Sequence, residues 1–524
     1  MKTLPSNSYA RLCDHAREIA LVQSIESLLE WDERTGMPAA AGAYRAEQMS
    51  HLAGRVHQLW TDPRMADWLA ELAESPLAAQ HESDAAVTIR ELRRLYNKKV
   101  RLPQALVEEI SRAAVLGQQG WVVAKQSGDY TSFRPLLERL ISLKREEAAA
   151  FGYENSAYDP LLDEYEPGAS TADVACVLAA LREDLVPFLN AIVAATHRAP
   201  AGEQPGSRKP SVLTPVGSNA VLDGDFPLDL QAAFGQMAAE QVGFDFGAGR
   251  LDTSAHPFCT QLGPRDHRLT TRYAERDLTD ALFSILHEVG HGLYQQGLPA
   301  EHFGLPLGEA ISLGIHESQS RLWENLVGRS RAYWEWMLPQ AKRTFPSALG
   351  DVSLDQFYRQ INQVRPSLVR IESDEVTYNL HILVRFELEQ ELLSGELSAA
   401  DLPEAWSSHY EQYLGVRPAN HSEGVLQDIH WSAGAIGYFP TYTLGNLYAA
   451  QFFEQADKDL GSLDEMFRRG EFAPLLGWLQ ENIHRHGRRY SAGELVERVT
   501  GRALSHEPLM RHFRGKFGTL YGVS

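Results

Sequence analysis

The chain has 524 residues, 44% hydrophobic and 23% charged, with a formal net charge of −20. That balance is ordinary for a folded globular protein, and its acidity argues against nucleic acid or an anionic membrane surface as partner. Three scattered cysteines, Cys13, Cys176 and Cys259, without C-x-x-C spacing, argue against a disulfide scaffold and for a reducing compartment.

The N-terminus, MKTLPSNSYARLCDHARE, has no apolar core of the secretory kind, and no stretch approaches the roughly 18 apolar residues of a membrane span. The expectation is a cytoplasmic protein. Residues 8–30 repeat apolar positions at helical spacing, then Gly36-Met37-Pro38 breaks the pattern. Further helices are expected near 40–60, 83–99, 103–126 and 131–151, segments rich in Ala, Leu, Glu, Arg and Gln. The segment from Tyr158 to Gly168 reads as a loop with four carboxylates, suited to cation binding or to helix capping. A helix follows over 171–197. The small, polar, Pro/Gly-rich run at 199–210 is the best boundary in the chain. It suggests a helical lobe at about 1–198, an exposed loop at about 199–212 and a catalytic lobe at about 213–524, in one functional unit.

The texture changes at 247–276. Arg268 to Tyr273 alternates and is Thr-rich, and Gly263-Pro264 is a turn signal, which predicts a small β-hairpin leading into the next helix. Its edge strand could take an extended peptide through backbone hydrogen bonds.

That next helix, expected over 277–297, carries the chemistry. Asp277 suits an N-cap and Gly297-Leu298-Pro299 a stop. Leu278, Leu282, Ile285, Val289 and Leu293 recur on one face. On it, His287-Glu288-Val289-Gly290-His291 matches H-E-x-x-H, which puts two imidazoles one turn apart to grip a metal, with Glu288 beside them as general base. A catalytic metal takes a third protein ligand, and Glu317 on the following helical run is the choice. Two His and one Glu suit Zn²⁺, with Co²⁺ possible. The metal would acidify water to a pKa of about 7, and Glu288 would take its proton and pass it to the leaving amine. The run at 331–395 again reads as helix, with Arg370, Asp374 and His381 inside it. Residues 416–447 are Gly-rich and aromatic, with His430, Trp431, Tyr438 and Tyr442.

Several short motifs stand in an order that resembles the carboxypeptidase Taq (M32) family of metallocarboxypeptidases. They are His256-Pro257-Phe258 (H-P-F), Asp266 to Thr270 (D-x-R-x-T), the H-E-x-x-H itself, His316 to Gln319 (H-E-S-Q) and Gly424 to Trp431 (G-x-x-Q-D-x-H-W). Val369 to Asp374 departs mildly from I-R-x-x-A-D, with Val and Ser where the family has Ile and Ala. Trp31-Asp32 with Met37-Pro38, and Tyr158 to Asp163, are also similar.

The resemblance implies a mainly α, zincin-like fold with a long central cleft, metal ligands at His287, His291 and Glu317, and Glu288 as base. It also implies removal of single C-terminal residues from peptides with broad specificity, and commonly a homodimer. An exopeptidase must hold the substrate's terminal carboxylate, for which Arg370 is the first choice and Arg268 the second. Tyr442 or His430 would donate to the oxyanion, with Tyr438 in reserve. His256 and Thr270 would line or order the cleft, and Asp374 and Asp428 would orient neighbours. An oligopeptidase cutting internally and a non-catalytic peptide-binding scaffold with a structural metal are the competing readings.

Overall fold

The computed structural model describes residues 5–197, Leu222 and residues 224–524. The Pro/Gly-rich boundary at 199–212 lies outside the described residues. The chain is mainly helical, as the periodicity predicts, and the helices fall close to their expected places: Pro5–Thr35, Gly42–Trp60, Asp84–Arg101, Gln104–Ser127, Tyr130–Phe151 and Thr171–Thr196. Side chains set several of the ends. Ser83, Asp129 and Ser170 each accept a backbone N–H from the first turn they precede, satisfying donors that a helix start leaves unpaired.

One large apolar core joins the helices at 130–192 to almost everything after residue 222. A smaller core gathers the first helices around Leu12, Ile19, Leu69 and Leu92, and takes in Leu305 from the distant part of the chain. Core packing therefore runs across the expected lobe boundary.

The expected hairpin is present as β2 (Cys259–Gly263) antiparallel to β3 (Asp266–Thr271). It belongs to a three-stranded sheet, however. The preceding strand β1 (Gly249–Thr253) pairs in parallel with β3, in the order β1-β3-β2. Thr270 ties this corner together. Its Oγ1 accepts from Phe258 N at 3.0 Å and from Ser254 Oγ at 2.7 Å.

A second difference concerns residues 362–376. The run at 331–395 is not helical throughout: helices Arg331–Thr344 and Leu354–Ile361 are followed by extended chain, and Arg370 sits on a single 3₁₀ turn, Arg370–Glu372. Pro366 disfavours helix in the residue before it. Asp374 then accepts from the N–H groups of Val376 and Thr377 at the start of the next helix, Thr377–Ser394. Asp374 thus holds the start of the helix that carries Tyr378, whose N–H bonds the Asp374 carbonyl at 2.9 Å.

Candidate metal centre and substrate clamp

The Leu278–Gly297 helix starts where Asp277 accepts from Thr279 N and Asp280 N, and ends at Gly297. Leu278, Leu282, Ile285, Val289 and Leu293 are all buried. Each contributes about 2 kcal/mol of apolar burial, which fixes the helix's rotation about its axis. That rotation turns His287 and His291 toward the Leu313–Arg321 helix, which carries Glu317. The two helices touch at backbone level. A Cβ added at Gly290 would lie 2.5 Å from Gln319 O and 2.6 Å from Ser320 Cα. On the other side of Glu317, a Cβ at Gly445 of the Pro440–Leu460 helix would lie 2.6 Å from Glu317 Cγ. Glycine at both positions lets Glu317 be pressed against the histidines.

Donor atoms of His287, His291 and Glu317 all lie within 4.8 Å of one another. Glu317 Oε2 is 3.7 Å from His287 Nε2 and 3.5 Å from His291 Nε2. Ligands at about 2.1 Å from one tetrahedral ion stand about 3.4 Å apart, so the residues present fit a single cation. The outward ring nitrogens are also engaged. His287 Nδ1–H donates to Glu324 Oε2 at 2.9 Å and His291 Nδ1–H to His316 O at 3.0 Å, leaving the Nε2 lone pairs toward the site. Arg321 binds Glu317 Oε1 at 2.7 Å and reaches Glu324 at 3.4 Å. The turn at Leu322–Val327 is a π-helix, the kind of local widening that often re-aims a side chain at functional sites.

Charge follows this geometry. Burial resists ionisation of Glu317, but Arg321 and the two histidines outweigh it and hold the carboxyl well below its ordinary range. Glu324 is lowered to about 2 against its burial, by the His287 hydrogen bond and by Arg321. Burial likewise disfavours charge on His287, yet Glu317 and Glu324 raise its pKa. Glu288 behaves differently. It is 6% exposed, and desolvation raises its pKa despite His287 and His291. The site thus holds one carboxylate kept anionic and a neighbouring one made more basic, the separation expected of a ligand and a general base. Cys259, at the start of β2, donates to Gln295 of the Leu278–Gly297 helix at 3.3 Å, and burial, with a smaller contribution from the Glu288 charge, keeps its thiol protonated. Edge strand β2 therefore lies against the Leu278–Gly297 helix.

Arg370 is buried. Its Nε and Nη2 donate to Asp428 Oδ1 at 3.0 and 2.8 Å, and Nη1 donates to Tyr378 Oη at 2.9 Å. Asp428 also accepts from Arg385 Nε at 2.7 Å. Two guanidinium groups face one carboxylate, so the cluster carries a net positive charge. Tyr378 links it to the candidate metal ligands, because the guanidinium of Arg321, which bonds Glu317, lies 4.4 Å from its ring centroid.

Tyr442 Oη is 3.4 Å from His430 Nε2, and the Arg370 guanidinium lies 5.1 Å from the Tyr442 ring. Tyr438 packs on both Tyr442 and His430, at 5.3 and 5.2 Å between centroids. Burial raises the pKa of Tyr438 and Tyr442, and the charge of Glu317 adds to both. Burial lowers His430 to about 4, so the ring is neutral near pH 7. The structure thus gathers Arg370, Tyr442, Tyr438 and His430 into one cluster, with Tyr442 one turn before Gly445, which packs on Glu317. Arg268 is differently engaged: it makes a two-point contact with Asp266, at 2.8 and 2.9 Å, and stacks on Trp31 at 4.5 Å. His256 lies on the loop between β1 and β2 and is exposed.

Sequence reasoning did not find Glu324, Arg321, Tyr378 or Arg385. Arg321 stands four residues after Glu317 and Glu324 seven, so a helical-face reading of the H-E-S-Q segment carried the signal for both.

Comparison with known proteins agrees along the whole chain. Residues 11–517 match the family model described as carboxypeptidase Taq (M32) metallopeptidase. "Thermostable carboxypeptidase 1" of Thermus thermophilus is 45% identical over 99% of this chain and 100% of its own, and "Carboxypeptidase 1" of Bacillus subtilis is 35% identical over 97% of each. A crystal structure titled M32 carboxypeptidase from Deinococcus radiodurans R1 superposes with a TM-score of 0.92 at 41% identity, covering 99% of this chain and 100% of that one. This helical chain, with the His287–His291 pair and the buried Glu288 and Glu317 beside it, belongs to the carboxypeptidase Taq (M32) family of metallopeptidases.

Proposed function

We propose that this chain removes single residues from the free C-termini of peptides, using Zn²⁺, with Co²⁺ as a workable substitute, held by His287, His291 and Glu317. The observation that carries the reading is the convergence of those three donors within 4.8 Å beside a buried, basic Glu288. When bound, such a cation polarises a carbonyl and lowers the pKa of water from about 16 to about 7. Glu288 takes the water's proton and returns it to the leaving amine, a role its raised pKa suits.

Arg370 holds the terminal carboxylate. Three of its five N–H groups bond Asp428 and Tyr378, so two remain, and the unbalanced charge of the Arg370–Asp428–Arg385 cluster favours an anion. Arg268 is the second candidate. Tyr442, which stays protonated well above neutral pH, donates to the oxyanion with His430 as its hydrogen-bond partner, and Tyr438 stands in reserve. Edge strand β2 aligns the peptide backbone, and His256 borders its path. The family resemblance further suggests a homodimer, which light scattering on the purified protein tests directly, and the three scattered cysteines suggest a cytoplasmic location.

Two measurements test the reaction. Glu288→Gln should retain one equivalent of zinc and lose peptide hydrolysis by about 10²–10⁴-fold; unchanged turnover removes Glu288 from the mechanism. A peptide with a free C-terminus should be shortened residue by residue, whereas its C-terminally amidated form should resist. Equal cleavage of both would favour an internal-cutting oligopeptidase.

A further inference from the structure

The four carboxylates at 158–168 have distinct fates. Asp159 accepts from Thr171 N and Oγ1 at 2.7 and 2.5 Å, fixing the start of the Thr171–Thr196 helix. Asp163 and Glu164 pair with Lys98, and Asp163 also with Arg94. These three are structural. Of the four, only Glu166 turns fully inward: it is 1% exposed and, among the described residues, its side chain is paired with hydroxyl and backbone donors alone. Its Oε1 accepts from Ser312 Oγ and from Tyr448 Oη, both at 2.9 Å, and Oε2 accepts from Gly314 N at 3.0 Å. The neighbouring carbonyl, Tyr165 O, accepts from Leu313 N at 2.9 Å.

These partners are the first residues of the helix that carries Glu317, together with Tyr448 one turn beyond Gly445, the glycine that seats Glu317 from behind. The fit is tight: a Cβ at Gly314 would lie 2.6 Å from Glu166 Oε2.

The other end of the same segment reaches the opposite side of the site. Tyr158 Oη donates to Glu389 Oε2 at 2.6 Å, and Glu389 also accepts from Trp431 Nε1 at 2.7 Å and Gly437 N at 3.1 Å. Trp431 directly follows His430 and Gly437 directly precedes Tyr438, so both bonds lie next to the residues they would position. Gly437 has φ +91°, and a Cβ there would lie 2.8 Å from the Leu161 carbonyl. Between the two ends, the Tyr165 ring packs edge-on against Tyr438 at 5.1 Å.

We propose that residues 158–166 form a strut that sets the spacing between Glu317 and the His430–Tyr438 stretch, with Glu166 positioning the metal-ligating helix and Tyr158, through Glu389, positioning the substrate-facing loop. None of these groups faces the proposed substrate, so they are positioning residues. The proposal rests on the metal and substrate assignments above, and it predicts that the two ends of the strut fail in different ways.

The test is chelator competition for Zn²⁺ on the full-length protein, read beside kcat and KM on a peptide with a free C-terminus. Glu166→Gln swaps one acceptor for a donor facing Ser312 or Gly314, and should weaken zinc binding about 10–100-fold. Tyr448→Phe removes one of its three partners and should move zinc affinity in the same direction, by less. Tyr158→Phe should leave zinc affinity within about twofold of wild type while lowering kcat/KM. Wild-type zinc affinity in folded Glu166→Gln or Tyr448→Phe overturns the strut; if Glu166→Gln does not fold, Tyr448→Phe decides. Identical losses in Tyr158→Phe and Tyr448→Phe also overturn it, since they indicate general destabilisation. Should His287→Ala bind zinc as tightly as wild type, the metal assignment is wrong and the strut falls with it.

Discussion

Removing the Glu324 carboxylate leaves His287 Nδ1 without its acceptor and strips Arg321 of one of its two anionic partners. The ring then loses the bond that fixes its orientation and basicity. Glu324→Ala should weaken metal affinity about 10–100-fold, measured by chelator competition, while circular dichroism stays that of wild type. Loss of metal binding as complete as in His287→Ala would instead make Glu324 a ligand. At this scale the sequence displayed the three donors that lie within 4.8 Å of one another, because helical spacing alone brings His287 and His291 together. Arg370 was legible as a cation without its role being settled. Its partner Asp428 lies 58 positions away, and the sharing of that carboxylate with Arg385 exists only once the 3₁₀ turn at 370–372 meets the loop before His430. Glu166 was legible only as one of four acids in a loop; nothing local distinguished the one that turns inward.

Among the elements, the close contact of the Leu278–Gly297 and Leu313–Arg321 helices depends on Gly290, the second variable position of H-E-x-x-H. Gly290→Ala directs a methyl group at the backbone of Gln319 and Ser320, atoms that cannot rotate away. Overpacking of this kind costs about 1–3 kcal/mol, and relief by separating the helices would draw Glu317 away from the histidines. Urea unfolding should show that loss, and zinc titration a weaker site in the folded variant. Wild-type values in both would mean that the helices slide without cost. The helices themselves were readable from periodicity and caps, since local bonds define them. The parallel pairing of β1 with β3 was not, because a five-residue strand (Gly249–Thr253) acquires its partner only through tertiary contacts. The helical composition of 331–395 likewise concealed the extended stretch around Pro366, where one residue overrides the propensity of its neighbours.

For the whole molecule, buried ionisable groups set how stability varies with pH, and they act with opposite signs. Burial raises Glu389 to about 7, with the hydrogen bonds from Tyr158, Trp431 and Gly437 pulling the other way. The folded state then keeps a proton that the unfolded chain gives up above about 4.5, so this group's stabilisation is complete at low pH and is lost as pH rises toward 7. Burial lowers His484 to about 3 and His430 to about 4. The unfolded chain binds protons at these rings below about 6.5 that the fold refuses, so their contribution grows with pH through the same window. Glu324 and Glu375, both lowered to about 2 by cationic partners that outweigh their burial, lose stabilisation only as pH falls below about 4.5. The opposing slopes blur each other in the wild-type profile, but a variant isolates one of them. Glu389→Gln keeps the size and removes the titration. The stability difference between wild type and Glu389→Gln, from urea unfolding at several pH values, should shift against wild type by up to about 3 kcal/mol between pH 4.5 and 7, at about 1.4 kcal/mol per unit of pKa shift, and level off above that. A difference independent of pH would show that Glu389 is ionised throughout, and that its three donors outweigh the cost of burying the charge.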